Sequence, residues 1–429
     1  MATRLKLPLS LVLAALCAAA ALVLPPSCRV NELGHVRAPA GGNLALGAAP
    51  LGAQAARFEA ACGPPSAPGD APPVHRPPYL QKVTTRSAAV LWVSEALGRP
   101  QVAVWPAGAP ASARVLAAAP DPTARPRRGV QYQALLRPLE PGAMYCYEVR
   151  DGRRRLAGPF GMTAAPPGGV GATVRIAALG DMGYRTSDQR AVLAQLERTE
   201  FDLALLTGDI AYNDGELDEY EKNFFDVYGH LMRSAPFYPA AGNHDYRTDD
   251  GGPFRQVFAL PENGGPKGRE RWYSFDHGDV HVVVLDTDNL GEAQEAWLEA
   301  DLARNRNPWV IGVLHRPPFS AGRQELEVRS SLHPILARHR VPLVLAGHDH
   351  HYERREPVDG VTYVITGGGG RGTRPVGPGG GSAFAAQVAH HLLIVVERDR
   401  LRLWAIDATG ATFDTLELAR PGARAAGTP

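Results

Sequence analysis

Cysteine is scarce in this chain, with four in 429 residues. Cys62 and Cys146 stand far from the aspartate- and histidine-bearing stretches of the second half, which excludes them as metal ligands. Net charge is also nearly absent. Lys and Arg total 45 against 44 Asp and Glu, a formal +1 with pI near 7.8, so nucleic-acid binding by bulk charge is excluded. Long apolar runs are lacking too. The one present, Leu9 to Leu24, is short for a spanning helix of about 20 residues. No sequence repeat is visible apart from five similar strand-like units described below. Abundant Ala, Gly, Pro and Arg reflect a GC-rich coding bias and carry no chemistry.

The start reads as a secretory signal over residues 1–27. Arg4 and Lys6 precede the apolar run, and no other segment is long and apolar enough to span a membrane. An uncleaved anchor is the bland reading. Lipidation at Cys28 is a further option, although Pro25-Pro26-Ser27 matches a lipoprotein cleavage site poorly. The expected location is secreted, periplasmic or cell-surface. Cys17 leaves with such a signal, so Cys28, Cys62 and Cys146 remain. That leaves one disulfide plus one free or modified cysteine, with Cys62 and Cys146 pairing if Cys28 is lipidated. Residues 28–76 are rich in Ala, Gly and Pro with little periodicity and read as a mostly disordered linker.

Over residues 77–163 the pattern changes to short alternating strands, at 88–93, 102–105, 131–136 and 144–149, which predicts an all-β sandwich. Residues 164–171, with Pro166, Pro167, Gly168 and Gly169, read as a second linker. A catalytic domain is expected over 172–420. Its apolar runs at 174–179, 203–207, 237–241, 310–314 and 342–346 read as buried strands, and helical patterns lie between several of them. This alternation predicts an α/β fold. Strand-like runs at 361–366, 391–396, 401–405 and 415–418 predict a second sheet packed on the first.

Each of the five runs ends at a possible metal ligand: Gly180-Asp181, Gly208-Asp209 with Tyr212, Gly242-Asn243-His244-Asp245, Leu314-His315 and Gly347-His348-Asp349-His350. Ligands gather at the carboxyl ends of strands in such sheets. Alone, each stretch has a plain alternative. Gly-Asp is an ordinary turn, Tyr212 can be a core phenol, Asn243 a left-handed turn residue, and His315 a satisfied core histidine. Five in order point to a dinuclear hydrolytic site.

These stretches resemble the calcineurin-like metallophosphoesterases and, through Tyr212 and the Gly-Asp-Met-Gly form of the first stretch, the purple acid phosphatases. The resemblance implies that Asp181, Tyr212 and His350 bind a first metal, that Asp209 bridges, and that Asn243, His315 and His348 complete a second. It implies Fe(III) plus a divalent ion (Zn, Fe or Mn), since phenolate and carboxylates are hard anionic ligands. It also implies hydrolysis of phosphate monoesters by a metal-activated hydroxide, the ions lying about 3.5–4 Å apart. His244 is the catalytic candidate to hold a phosphate oxygen or protonate the leaving group. Asp245 either orients its other ring nitrogen or serves as a turn residue. Likewise Pro138 to Gly142 with Tyr145-Cys146-Tyr147 resembles the fibronectin type III-like domain that precedes the catalytic domain in larger members.

One departure stands out. The plant-type enzymes carry another histidine about ten residues after the ligand corresponding to His315; here none occurs until His333, which sits in an apolar helix pattern. Glu325 or an arginine can stand in. The departure keeps a phosphodiesterase or nucleotide hydrolase as the main alternative, with a surface-binding protein carrying a vestigial site behind it. His230, His277, His281, His339, His351, His390 and His391 read as surface, capping or packing residues. Arg371 and Arg374, in the glycine-rich run 367–381, suit either a loop closing over phosphate or, preferably, a mobile surface loop. The expected partners are small phosphate esters.

Overall fold

The structure is a computed structural model. It describes residues 42–420 apart from positions 51, 53, 67–72, 324 and 378. The signal-like segment and Cys28 lie outside the described residues. Among those described, no helix is long and apolar enough to cross a membrane.

Two mixed sheets form the larger part. One has six strands in the order Phe237–Pro239, Leu203–Leu206, Val174–Leu179, His390–Val396, Arg400–Asp407 and Thr412–Ala419. The first three run parallel; the last three pair antiparallel. The second has seven strands, in which Val280–Val284, Trp309–Val313, Leu343–Ala346 and Thr362–Thr366 run parallel.

Alternation along these strands decides what each face meets. Val282, Val284, Ile311 and Val313 point inward and join Ile176, Ala178, Leu205 and Ile394 in the core between the sheets. Val283, Leu285 and Val310 point outward onto Leu298 and Leu302 of helix Glu292–Arg304 and Leu332 and Leu336 of helix Leu326–Arg338. Both faces are therefore buried, which is why these strands read as continuous apolar runs. This is the two-sheet α/β architecture expected for residues 172–420.

Ahead of it, eight strands form two four-stranded sheets that share a core built around Trp92, Val104, Tyr132 and Tyr147. The sandwich is fastened to the α/β part by polar side chains. Buried Arg76 bonds Glu221 and Gln131, and its guanidinium lies 4.3 Å from the Phe225 ring centre. Tyr79 donates to the Val257 carbonyl and Tyr147 to that of Arg233.

The segment expected to be a mostly disordered linker is ordered where it is described. Leu46 and Ala49 cover Leu393, Val395, Trp404 and Ile406 on the outer face of the six-stranded sheet, and the Asn43 amide donates to Asp414. Helix Gln54–Cys62 buries Phe58 against strand Arg154–Thr163. A disulfide joins Cys62 to Cys146. Sparse apolar residues, spaced to cover a sheet face built from distant strands, give no periodic signal.

Candidate metal centre

Three strands of the six-stranded sheet and two of the seven-stranded sheet end on the same side. Asp181, Asp209 and Asn243 follow the first three; His315 and His348 follow the others. Asp181, Asp209 and His348 take left-handed backbone angles, with φ of 56°, 51° and 68°. That conformation is uncommon without glycine and clusters at functional sites. The turns also pack too tightly for side chains. A Cβ on Gly208 would lie 2.5 Å from the His315 ring, and one on Gly347 2.6 Å from an Asp181 carboxylate oxygen.

The Tyr212 hydroxyl lies 2.9 Å from Asp181 Oδ1, 2.8 Å from Asp209 Oδ2 and 3.2 Å from His350 Nε2. A phenol has one proton to give, and two carboxylate oxygens and an imidazole nitrogen surround it. The neighbouring position repeats the pattern. His315 Nδ1 donates to the Thr207 carbonyl at 2.8 Å, so in the neutral ring Nε2 carries the lone pair. That lone pair faces Asn243 Oδ1 at 3.2 Å, Asp209 Oδ1 at 3.4 Å and His348 Nδ1 at 3.3 Å. Donor atoms of Asp181, Asp209 and His315 all fall within 4.8 Å of one another. Acceptors crowded on acceptors, all but excluded from water, fit two cations with Asp209 between them. The seven residues expected as metal ligands are thus brought together.

Electrostatics agree with that crowding. Burial pushes Asp181 up, but the hydrogen bond and charge of His350 and the charge of His315 outweigh it and hold the carboxyl down at about 2. Burial, with the charge of His315, pushes His348 down to about 2. Burial and the Asp181 and Asp209 charges drive the Tyr212 phenol well above its ordinary value, so only a cation at the site would favour phenolate.

His244 stands at the edge of the cluster. Its ring centre is 4.4 Å from that of Tyr212, and Nε2 is 3.9 Å from Asp209 Oδ2. Its other nitrogen, Nδ1, bonds the Asn213 carbonyl, so Asp245 does not orient it. Asp245 has a different job. Its buried carboxylate accepts from the amides of Gly242 and Ile210 and from the Tyr220 hydroxyl at 2.8, 3.1 and 2.6 Å, tying the Asn243 turn to the Asp209 turn. Tyr220 opens a π-helical turn, Tyr220–Phe225, which aims its hydroxyl inward. Burial and the Asp209 charge push Asp245 up to about 7.

Other residues reach the site that the sequence alone did not assign. The glycine-rich loop, preferred above as a mobile surface loop, packs on the centre: the Arg371 amide donates to the Asp181 carbonyl at 2.7 Å and Arg374 to that of His350 at 2.8 Å. The Arg371 guanidinium stacks 3.9 Å from the Tyr184 ring centre and 5.2 Å from that of Tyr212. The glycines there were the only signal, since a Cβ on Gly369 would meet the Gly180 carbonyl at 2.3 Å. Arg316, next to His315, is clamped by Asp288 and Glu325. His333 bonds Tyr363 and Asp359, away from the centre.

Residues 174–352 match the calcineurin-like phosphoesterase family. An uncharacterized protein of Mycobacterium tuberculosis is 31% identical over 185 residues, covering 36% of this chain and 35% of that protein. Purple acid phosphatase 21 of Arabidopsis thaliana is 31% identical over 224 residues, covering 46% of this chain and 50% of that protein. The Fe(3+)-Zn(2+) purple acid phosphatase 12 of the same plant is 27% identical, covering 56% and 55%. The chain spans between about a third and just over half the length of these curated relatives. Among solved structures, a purple acid phosphatase from yellow lupin (Lupinus luteus) seeds shares the fold, with TM-score 0.68 at 19% identity over 80% of this chain and 74% of that one. Over residues 174–352 the chain is therefore similar to the calcineurin-like phosphoesterases, and purple acid phosphatases are among its relatives.

Proposed function

We propose that this protein hydrolyses phosphate monoesters at a dinuclear metal centre of the purple acid phosphatase type. The observation that carries the reading is the convergence of acceptors on the Tyr212 hydroxyl and on His315 Nε2, with Asp209 facing both. Asp181, Tyr212, His350 and Asp209 would hold one ion, and Asp209, Asn243, His315 and His348 the other. The hard set suits Fe(III) and the imidazole-rich set a divalent ion such as Zn, Fe or Mn. Such ions supply Lewis-acid polarisation of a phosphoryl oxygen and activation of a water.

The chain's own residues supply the rest. The Asn213 carbonyl and the Tyr212 ring hold His244 with Nε2 toward the centre. From there Nε2–H donates a proton to the leaving oxygen as a water-derived oxygen bonds phosphorus and the P–O bond to the leaving group breaks, and the imidazole regains the proton that the water gives up through solvent. The proton on Nδ1 stays with Asn213 throughout. Left-handed turns at Asp181, Asp209 and His348 fix the ligand atoms before substrate arrives.

Asp209→Ala is expected to abolish metal loading and turnover together. A variant with full metal content and full activity would overturn the reading. A diesterase on the same centre is the second reading, favoured by one observation: where plant-type enzymes offer a histidine, Glu325 approaches His348 Nε2 at 3.5 Å. We also propose a fibronectin III-like identity for the sandwich, on the strength of its two four-stranded sheets. An extracytoplasmic location is proposed as well, supported by the Cys62–Cys146 disulfide and the signal-like start.

A further inference from the structure

The loop after His315 is built around Asp349, the residue between His348 and His350. Asp349 accepts from the Ser320 hydroxyl and, at 3.0 Å, from the Arg323 amide. The Ala321 amide donates to Glu353 at 2.8 Å, and a Cβ on Gly322 would lie 2.5 Å from the Asp349 carboxylate. The backbone leading into Arg323 is therefore held through residues 320–323, although its side chain is exposed. Its guanidinium Nη1 lies 3.1 Å from His348 Nε2, the ring nitrogen turned away from His315. Arg316 beside it is neutralised by Asp288 and Glu325. Arg323 makes no carboxylate ion pair of its own among the described residues.

We propose that Arg323 is a specificity-determining residue that grips the terminal oxygens of a dianionic phosphoryl group. The inference rests on the phosphoesterase reading above and deepens it to a substrate class. If His348 ligates through Nδ1, its proton sits on Nε2, and the Arg323 and Arg316 guanidinium groups, at 3.1 and 3.4 Å, both lose that acceptor while Arg316 keeps its two carboxylates. Arg323 then has no acceptor on that ring, and its N–H groups are left for substrate. A guanidinium matches two oxygens of one phosphate in a planar fork, and a point charge does not. A monoester presents two charged terminal oxygens and a diester shares a single charge, so this contact favours the monoester. The exposed position also suits a side chain that substrate must reach.

The test is calorimetric binding of inorganic phosphate to metal-loaded wild type, Arg323→Ala and Arg323→Lys, with metal content measured for each. Alongside it runs the ratio of kcat/KM for an aryl monoester and the diester of the same alcohol. With metal content unchanged, we expect phosphate affinity to fall about tenfold or more in R323A, since charge-assisted hydrogen bonds to the phosphate are lost. The monoester-to-diester ratio should fall with it, and R323K should recover only part of each. Unchanged phosphate affinity and an unchanged ratio would overturn the proposal. Loss of bound metal in R323A would also overturn it, by making Arg323 a positioning residue for His348. Failure of the underlying reading looks different, since wild type itself would then hold no metal or turn over neither ester.

Discussion

The carboxylate of Asp245 accepts a hydrogen bond from the hydroxyl of Tyr220 at 2.6 Å, with both side chains buried. The same carboxylate holds the Gly242 and Ile210 amides, so one side chain sets the spacing between the turn of Asn243 and the turn of Asp209. Asp245→Ala strands four buried donors, the Gly242, Ile210 and Ala211 amides and the Tyr220 hydroxyl. Each unsatisfied donor costs roughly 1–3 kcal/mol, and partial collapse of the site keeps the expected total near 4 kcal/mol. Asp245→Asn keeps the shape but replaces an acceptor with a donor, and should fall between. Urea denaturation of the two variants checks this ordering, and weakened metal retention should accompany both. A loss below about 0.5 kcal/mol, the range of ordinary surface changes, would show that the turns hold their spacing without Asp245.

Arg76 makes a parallel case at the junction of the sandwich and the α/β part. It is 1% exposed, while its partner Glu221 is partly open to solvent. Removing one partner of a buried pair costs about 3–5 kcal/mol. The solvent at Glu221 moves the expectation for Glu221→Ala to the lower end or below. It leaves the Arg76 charge stranded with only Tyr79 and Gln131, so E221A should still destabilise more than Arg76→Met, which removes the charge altogether. Thermal unfolding of the two variants decides it; equal losses would mean that packing on Phe225, and not charge, holds the junction.

The pH dependence of stability has one clear basic-side contributor. His281 bonds Asp276 at 2.7 Å and Asp301 at 2.8 Å. Burial pushes the imidazole down, but these two carboxylates outweigh burial and raise it to about 9. A raised histidine is stabilising in its protonated form. Its contribution is full below about 6.5, the unfolded value, and is lost as pH rises through about 9. The expected loss, discounted for the exposure of Asp276, is on the order of 2 kcal/mol. His281→Gln should remove that slope between pH 7 and 10 while leaving turnover at acidic pH intact. An identical slope in wild type and variant would contradict it.

The sequence showed the strands that end in ligands because those strands are buried on both faces and read as apolar runs. Asp181, Asp209, Asn243, His315 and His348 were legible for the same reason, each standing just past such a run. Arg323 and Asp245 were not. Arg323 reaches the centre only because Asp349 holds its loop, a contact across 26 residues. Asp245 adjoins His244 in sequence, which left a partner of His244 and a turn residue both open; the side chains go to different partners, and Asp245 holds the turns. The ordering of the described residues between 42 and 62 was equally hidden, since Leu46 and Phe58 owe their burial to sheets built far along the chain.

The most direct test of the central claim is a set of initial rates on a monoester and a diester of one aryl alcohol, from pH 4 to 9, with metal-replete enzyme. The account predicts monoester preference with an acidic optimum. Diester preference, or turnover confined to alkaline pH, would contradict it and move the assignment to a phosphodiesterase built on the same seven ligands.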